Sequence, residues 1–367
     1  MMNSLLAPFA LSLCVLPLTV PCANALQFNK TYEALFSCCV IEKGKGFYQG
    51  GLLMPVSDSL DDDESINEAQ FAANIQQDLE EAEQEYDQVP ETQGGKIIDT
   101  DLARRLYPQY SDALSPDKRL RFASATSMPA NALVDYLYNK KLYRLIKNHN
   151  ASSPPLSIVM LAGGYGSGKT TSIRELQLPV LENANLIRDR SMDEPLSTPQ
   201  EMIDAALTLN IKVTIIYVFR PIESAIEGIL TRANKEGRIS SLWDTADAHW
   251  RAQDNVLSLK EHFGDQIEVI VIDNSDSVGS ASIVSSGIDF LKKTEINYGS
   301  LDNAWQRAKD KYNSIDKSQL KPEVIDILEK GFYTEEKTEY STYWPTWLKD
   351  QVERWFGNSK RTIEDEL

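Results

Sequence analysis

The chain has few cysteines, and their placement excludes the classes of protein that depend on them. Only four occur in 367 residues. Cys14 and Cys22 lie in an apolar N-terminal region, and Cys38 and Cys39 are adjacent in the sequence. Adjacent cysteines pair with each other only in a strained ring, and their spacing does not suit a metal knuckle. The sequence is therefore not that of a disulfide-stabilised scaffold.

Basic residues are also scarce relative to acidic ones. The chain has 37 lysines and arginines against 54 aspartates and glutamates, which gives a formal net charge of −17. Nucleic acids and anionic membranes repel such a chain at long range, so neither is expected as a general partner. Residues 58–95 hold thirteen acidic residues and no lysine or arginine. Without this stretch the formal charge is about −4, which is compatible with local pockets that bind phosphates.

The N-terminus predicts a secretory signal peptide over residues 1–25. Residues 5–21 form an uncharged apolar run, and Ala23 and Ala25 supply the small residues of an A-x-A cleavage site. The prolines in the run favour a cleaved segment over a stable membrane anchor. The protein would then be secreted or periplasmic and, because ATP is scarce there, would act after delivery into another cell. No lysine or arginine precedes the run. The alternative is a buried or interfacial N-terminal helix in a cytoplasmic protein.

The rest of the sequence divides into three predicted parts. Residues 26–94 are acidic and partly helical, residues 95–295 form the main domain, and residues 296–367 form a helical, aromatic-rich extension. In the acidic part, Ser65 with Glu68 matches a capping box, and apolar residues at helical spacing predict one amphipathic helix up to Tyr86. We interpret its charges as solvated surface, with a partner-binding or autoinhibitory helix as the alternative. The end of this extension is rich in aromatic residues, among them Trp344, Trp347, Trp355 and Phe356, which we expect to pack.

The main domain alternates short apolar runs with amphipathic stretches. The strand candidates lie at residues 97–98, 157–162, 184–187, 212–219 and 267–272, and helical patterns cover residues 131–147, 170–182 and 222–234. Strands that alternate with helices indicate βαβ units. The sequence therefore predicts an α/β fold with a mostly parallel sheet and helices on both faces. The helical extension is predicted to place Trp305, Ala308, Tyr312 and Ile315 on one face.

Residues 163–170 read GGYGSGKT and match the phosphate-loop motif G-x-x-x-x-G-K-[ST]. The motif follows an apolar strand candidate and precedes a helical pattern, as a P-loop NTPase requires. Glycines let the backbone amides point at phosphates, and the helix presents its positive N-terminus. Lys169 is expected to contact the β and γ phosphates of ATP, and the Thr170 hydroxyl to bind Mg²⁺. The alternative is a structural glycine-rich turn. The predicted nucleotide-binding residues are Gly163, Gly164, Tyr165, Gly166, Ser167, Gly168, Lys169, Thr170 and Thr171.

Charged residues follow the apolar runs at several places, where a parallel sheet would bring them to one edge. Phosphoryl transfer needs cations on the moving group and a carboxylate that accepts the proton of the acceptor hydroxyl. The charged residues supply both. They are Asp99, Asp101 and Arg104 after the first run, Asp189 after the run at 184–187, Arg220, Arg232 and Arg238 after residues 212–219, and Asp273 with Asn274 after the last run.

These residues also have simpler structural interpretations. Asp99 and Asp101 could form a turn and a helix cap. Arg232 and Arg238 could be solvated charges, and the carboxylates that close later strands could be turn residues, although the last of them could instead orient Mg²⁺. His249 is more typical of a packed or surface histidine than of a catalytic one.

The motifs resemble the zeta-toxin group of P-loop kinases over roughly residues 95–280. The carrying sequences are GGYGSGKT, ANLIRD, VTIIYVFRPIESAIEGILTRANKEGRI and IEVIVIDNS. The family element D-x-D-x-x-R-x-x-x-P-x-Y is matched by Asp99, Asp101, Arg104, Pro108 and Tyr110.

The resemblance implies an activity and roles for individual residues. Characterised members phosphorylate a sugar hydroxyl of UDP-N-acetylglucosamine, which implies an ATP- and Mg²⁺-dependent kinase of the same type. Asp101 matches a candidate catalytic base, and Arg232 and Arg238 match arginines that clamp phosphates. Together with Lys169 they are the expected catalytic residues. The expected substrate-binding residues are Asp99, Arg104 and Asp189.

The sequence departs from the family pattern in three ways. The D-x-D-x-x-R element precedes the phosphate loop by some sixty residues, although it usually follows it. A parallel sheet tolerates this if the strand keeps its place in the sheet. Tyr107 replaces the usual histidine before the proline, and Asp189-Arg190-Ser191 replaces an E/D-G-T element. The two replacements concern the acceptor more than the nucleotide.

The sequence thus predicts a kinase that phosphorylates a small molecule, with a toxin or effector role and an antitoxin or host partner. Two other functions stay open. One is a P-loop ATPase or GTPase that drives a conformational change. The other is a non-enzymatic interaction protein with a vestigial nucleotide site, in which the acidic helix and aromatic tail bind a partner.

Overall fold

The computed structural model describes residues 47–49, 52–54, 60–149, 153–276 and 280–329. The predicted signal peptide, all four cysteines and the aromatic tail lie outside these residues. None of the helices in the described residues is both long and apolar enough to span a membrane.

Two sheets are present in the described chain. Strands β1 (Phe47–Gln49) and β2 (Leu52–Met54) form an antiparallel pair. The main sheet has the order β3-β5-β4-β6-β7-β8, in which β8 is antiparallel and the other strands are parallel. This arrangement confirms the predicted α/β fold. The strands are β3 (Ile97–Asp99), β4 (Ser157–Ala162), β5 (Leu186–Asp189), β6 (Lys212–Phe219), β7 (Ile267–Asp273) and β8 (Ser282–Ile283).

Thirteen α-helices lie between and beyond the strands of the described chain. Those before the phosphate loop are α1 (Asp62–Gln77), α2 (Leu79–Gln88), α3 (Thr100–Arg104), α4 (Pro116–Arg121) and α5 (Ser127–Asn148). Those after it are α6 (Lys169–Leu176), α7 (Pro179–Asn183), α8 (Ser197–Thr208), α9 (Ile222–Glu236), α10 (Leu242–Phe263), α11 (Ile288–Leu291), α12 (Leu301–Asn313) and α13 (Pro322–Glu329).

Both faces of the main sheet are covered, because alternate residues of its central strands enter different cores. On β4, Ile158 and Met160 join the core that includes α5, α8 and α10. Val159 and Leu161 join the core that includes α6 and α7. This is the double burial expected for a parallel sheet whose strands are apolar throughout.

The acidic segment folds as two helices, so the prediction of one continuous helix is wrong. The break is at Asp78, whose side chain accepts hydrogen bonds from the backbone of Glu80 and Glu81 at the start of α2. The predicted capping box is also misplaced. It is formed by Asp61 and Glu64, three residues apart and one turn earlier than the predicted pair. Aspartate is as good an N-cap as serine, so several positions in this acidic run satisfy the pattern.

The two acidic helices pack against the main domain. Phe71 and Tyr86 are buried in the same core as strand β4. On the polar side, Glu83 forms ion pairs with Lys140 at 2.9 Å and Lys141 at 3.3 Å, both on α5. The lysines of α5 thus offset part of the acidic charge where the segment meets the domain.

The described part of the C-terminal extension packs beside α9 and α10. Ala308 and Tyr312 of α12 are buried with Ile222 of α9 and Leu242 of α10, and Trp305 and Ile315 lie half-buried against the same cluster. The predicted apolar face is therefore confirmed for Trp305, Ala308 and Tyr312, whereas Ile315 lies beyond the end of α12.

Candidate functional site

All the parallel strands end at one edge of the main sheet, and the predicted site residues lie along that edge. Asp99 ends β3, Asp189 ends β5, and the phosphate loop follows β4. Strand β3 pairs in parallel with β5, so the displaced D-x-D-x-x-R element occupies a slot in the same sheet. The carboxyl ends of parallel strands are where α/β proteins bind ligands. The topology therefore assembles the site although its pieces are out of the usual order in the chain.

The phosphate loop has the backbone shape that its glycines were predicted to allow. Gly163 has φ of 130°, which is unfavourable for other residues, and a Cβ there would lie 2.4 Å from the carbonyl oxygen of Val218. Helix α6 begins at Lys169, so its N-terminal amides open onto the loop. Thr170 is exposed at this end and Thr171 is half-buried. The loop and helix together form an anion-binding arrangement.

Lys169 folds back onto the loop in this structure. Its Nζ donates a hydrogen bond to the Gly163 carbonyl at 2.7 Å. Burial lowers the pKa of Lys169 from its ordinary value, while the Asp189 carboxylate opposes that shift and Arg232 adds to it. A lysine in such surroundings gains from a nearby anion, since an anion offsets the cost of burying its charge.

Two further residues hold the loop, and sequence reasoning gave neither of them this role. Asn274 donates from Nδ2 to the Ser167 carbonyl at 2.7 Å, and a Cβ on Gly168 would lie 2.5 Å from the same nitrogen. His249 Nε2 lies 2.8 Å from the Tyr165 carbonyl. The position of Asn274 at the end of β7 was the only sequence signal for these contacts. Distance along the chain hides them, because their partners lie over eighty residues away.

The two carboxylates that end β3 and β5 are neighbours. Asp99 and Asp189 are partners in the strand register. Burial and the Asp189 carboxylate raise the pKa of Asp99 to about 7, against the attraction of Arg238 and Lys169. Burial also raises the pKa of Asp189, with Lys169 and Arg232 opposing it. Two carboxyl groups thus face the phosphate-loop lysine, and a bound cation would favour their charged forms.

Asp99 also acts as a helix cap, which was the simpler interpretation of this residue. Its side chain caps α3 by accepting a hydrogen bond from the Asp101 backbone at 2.7 Å. Asp273 is a turn residue, because its carboxylate accepts from the backbone of Ser275 at 2.9 Å. Strand-end aspartates therefore fix the local backbone at both places.

Asp101 is surrounded by arginines. Its carboxylate pairs with Arg232 at 3.4 Å and Arg104 at 3.5 Å, and more closely with Arg238. Burial lowers the pKa of Arg238 to about 10. Arg232 and Arg238 are thus not simply solvated charges, since both turn towards the end of β3. Arg220 follows β6, and its carbonyl oxygen lies 3.4 Å from the Tyr298 hydroxyl.

Arg104 mostly holds the loop between α4 and α5. Its Nε donates to the Thr126 hydroxyl at 2.9 Å, and its guanidinium lies 4.4 Å from the centre of the Tyr110 ring and donates to the Ala123 carbonyl. It is almost fully buried, at 9% exposure. Its ion pair with Asp101 connects this loop to the site.

Tyr107 lies in the core. Its ring stacks on Phe71 of α1 with 4.9 Å between centroids, and its hydroxyl donates to Asn67 at 2.7 Å. Both contacts are with helix α1 of the acidic segment. Tyr107 is thus one of the residues that join that segment to the D-x-D-x-x-R element.

The loop after β5 is held by one buried and one partly exposed ion pair. Arg188 pairs with Glu194 at 2.6 Å, and Arg190 with Asp135 at 2.8 Å. Although burial opposes ionisation, Arg188 and Arg190 lower the pKa of Glu194 to about 2. The Ser191 carbonyl accepts from the Gly163 amide at 3.0 Å. Ser191 therefore fixes this loop against the phosphate loop.

Comparison with known proteins does not identify a family for this chain. No protein-family model matches the chain, and no curated protein matches it. Among solved structures, a chain of the PezAT chromosomal toxin–antitoxin system of the human pathogen Streptococcus pneumoniae is similar at 15% identity and a TM-score of 0.27. The match covers 49% of this chain and 94% of the other. Values this low assign no activity to the present chain.

Proposed function

We propose that the protein is an ATP- and Mg²⁺-dependent kinase that transfers the γ-phosphoryl group to a hydroxyl of a small molecule. The observation that carries the proposal is the meeting of three groups at one sheet edge. They are the phosphate loop with Lys169, the aspartates of β3 and β5, and the arginines of and after α9 that pair with Asp101. Positioning and charge neutralisation account for most of the catalysis of phosphoryl transfer.

The triphosphate would lie on the loop amides and the N-terminus of α6. Lys169 would leave the Gly163 carbonyl for the β and γ phosphates, since a charged oxygen is a better acceptor than a neutral carbonyl. Arg232 and Arg238 are close enough to Asp101 to move between that carboxylate and a transferred phosphoryl group. Their charge would offset the charge of the transition state.

The donor set fits Mg²⁺. No cluster of three or more acidic, histidine or cysteine side chains in the described residues forms a metal site by itself. Mg²⁺ usually takes one or two protein ligands and completes its shell with water and phosphates. The Thr170 hydroxyl, with Asp189 or Asp99, would supply those ligands. When bound, the metal would neutralise phosphate charge and so favour attack by the acceptor.

Asp101 would accept the proton of the acceptor hydroxyl. In this structure its carboxylate pairs with Arg232 and Arg238. Phosphate oxygens would draw those arginines away and leave Asp101 free to accept a hydrogen bond from the hydroxyl. Asp99, Arg104 and Asp189 would orient the substrate, in part through Asp101 itself.

For the acceptor we propose a nucleotide sugar such as UDP-N-acetylglucosamine. The support is the resemblance of the sequence motifs to zeta-toxin kinases. A toxin or effector role with an antitoxin or host partner, and export by an N-terminal signal, are proposals on the same basis and on the apolar N-terminus.

The test is incubation of the full chain with labelled ATP, Mg²⁺ and a panel of nucleotide sugars, with products identified by mass spectrometry. We expect a product heavier by one phosphoryl group that forms only with ATP and Mg²⁺. Rapid ATP or GTP hydrolysis without any phosphorylated acceptor would favour the motor-type NTPase instead. Failure to bind ATP in calorimetry would favour the interaction protein.

A further inference from the structure

His249 contacts the phosphate loop from a separate helix, α10. It is 1% exposed. Its Nε2 lies 2.8 Å from the Tyr165 carbonyl, and its Nδ1 lies 3.2 Å from the Tyr298 hydroxyl. A carbonyl can only accept, so Nε2 carries the hydrogen and Nδ1 accepts from Tyr298. One tautomer therefore satisfies both ring nitrogens.

The ring stays neutral at physiological pH. Burial lowers the pKa of His249 to about 4, although the hydrogen bond to the Tyr165 carbonyl opposes the shift. A neutral ring with both nitrogens bonded has one fixed orientation. It is a rigid support for the loop backbone rather than a group that exchanges protons.

The loop is shaped to receive this ring. A Cβ on Gly164 would lie 2.1 Å from Cδ2 of His249, a distance that atoms do not reach. Only glycine at this position lets the loop backbone lie against the imidazole. The motif fixes other glycines of the loop, but this one is explained by its contact with His249.

The other end of the contact belongs to the C-terminal extension. Tyr298 is 2% exposed, and its backbone nitrogen donates to Gln253, one turn after His249 on α10, at 2.9 Å. The Arg307 guanidinium lies 5.0 Å from the Tyr298 ring centre and pairs with Glu223 of α9 at 2.7 Å. The residue that touches His249 is thus itself held by α10, α12 and α9.

We propose that His249 is a positioning residue that holds the phosphate loop in its binding shape, and that Tyr298 makes the start of the C-terminal extension part of the nucleotide site. The inference rests on the proposed function for its effect on ATP, but the effect on the loop can be measured without ATP. It extends the site beyond the boundary near residue 295 that the sequence predicts.

The experiment compares His249→Leu, His249→Gln and Tyr298→Phe in the full chain. Hydrogen–deuterium exchange of the loop amides, residues 163–168, is measured without nucleotide, and ATP affinity is measured by calorimetry. For His249→Leu we expect loop exchange to rise and ATP affinity to fall about tenfold, the size of one buried hydrogen bond. His249→Gln keeps an N–H near the place of Nε2, so its loop exchange and its ATP affinity should both be close to those of the wild type. Tyr298→Phe should also raise loop exchange and lower ATP affinity, but by less than His249→Leu.

Leu259→Ala is the matched control. Leu259 is fully buried on the same helix, ten residues and about 15 Å from His249. It should lower thermal stability without a selective rise in loop exchange. The proposal is overturned if Leu259→Ala speeds loop exchange as much as His249→Leu, or if glutamine is no better than leucine. A wild-type chain that binds no ATP would refute the proposed kinase, whereas the exchange data would still decide the role of His249.

Discussion

Asp99 and Asp189 are register partners at the carboxyl ends of adjacent strands β3 and β5. The pairing places two carboxyl groups side by side in partly buried surroundings near Lys169. A negative charge on one carboxyl group disfavours ionisation of the other, and nearby cations reduce this effect. Cations or ligands that neutralise the two carboxylates are therefore expected to stabilise this part of the fold at neutral pH.

The first prediction concerns the pH dependence of stability. The pKa of Asp99 is about 7 in the folded protein, above the ordinary value of an aspartate. The folded state therefore holds this proton more tightly than the unfolded state, and the stability it provides is lost as pH rises from about 4 to 7. Asp99→Asn keeps the helix cap and removes the titration. In urea unfolding, the variant should gain free energy of unfolding relative to the wild type as the pH rises from 5 to 8. The gain should be on the order of 2 kcal/mol, because a tenfold change in ionisation corresponds to about 1.4 kcal/mol.

Asp189→Asn is the companion variant for this experiment. It removes the neighbouring charge that raises the pKa of Asp99. Its stability should therefore fall less steeply with pH than that of the wild type. Parallel curves for the wild type and Asp99→Asn from pH 5 to 8 would contradict the assigned pKa.

A second prediction concerns Lys169. Lys169→Ala should lower ATP affinity about ten- to hundredfold, since a hydrogen bond to a charged group contributes about 1.5–3 kcal/mol. It should also abolish phosphoryl transfer and any toxicity to a host cell. Calorimetry and the labelled-ATP assay measure the two effects. Lys212→Ala serves as the control, because Lys212 is exposed at the start of β6 and pairs with Glu268 at 2.9 Å. Equal activity of the two variants would remove Lys169 from the site.

A third prediction separates binding from transfer. Asp101→Asn should leave ATP affinity unchanged or slightly higher, because Arg232 and Arg238 lose an anionic competitor. Transfer should fall about 10²- to 10⁴-fold, the usual contribution of a general base. The measurement is single-turnover transfer at saturating ATP. Asp117→Asn, which removes an exposed carboxylate that pairs with Lys321, controls for the change of charge. Normal transfer by Asp101→Asn would exclude Asp101 as the base.

The sequence predicted the fold well where one residue pattern had one physical meaning. Apolar runs of β-branched residues gave strands β4, β6 and β7 close to their observed bounds. The helix boundaries in the acidic segment were harder to predict from the sequence. Its many aspartates and glutamates offer several equivalent helix caps, so the pattern placed neither the start of α1 nor the break at Asp78.

In the candidate site, the parts that follow a local motif were predictable and the parts that cross the chain were not. The motif identified the loop from Gly163 to Lys169. It could not show that His249 and Asn274 hold that loop, because a lone histidine and a strand-end asparagine carry no distinctive spacing. Nor could it show that Tyr107 would be used to bind the acidic segment.

The last prediction concerns Tyr86, which takes the place of a neighbouring strand at the edge of the sheet. Strand β3 pairs only with β5 among the described strands, so its outer backbone groups need other partners. The Tyr86 hydroxyl accepts from the Asp99 amide at 2.7 Å and lies 3.1 Å from the Ile97 carbonyl, to which it can donate. Tyr86→Phe would leave the Asp99 amide buried without that acceptor, which should cost about 1–3 kcal/mol of unfolding free energy.

The control is Tyr143→Phe, because Tyr143 is 39% exposed and its ring lies on α5. Urea unfolding should show little change for Tyr143→Phe. The hydroxyl of Tyr86 also fixes strand β3, which ends at Asp99 and leads directly into the helix that carries Asp101, so Tyr86→Phe should slow phosphoryl transfer more than it weakens ATP binding. A loss of ATP affinity as large as the loss of transfer would instead mean that the acidic segment supports the phosphate loop itself. No change in either stability or transfer would show that the edge of β3 does not depend on this hydroxyl.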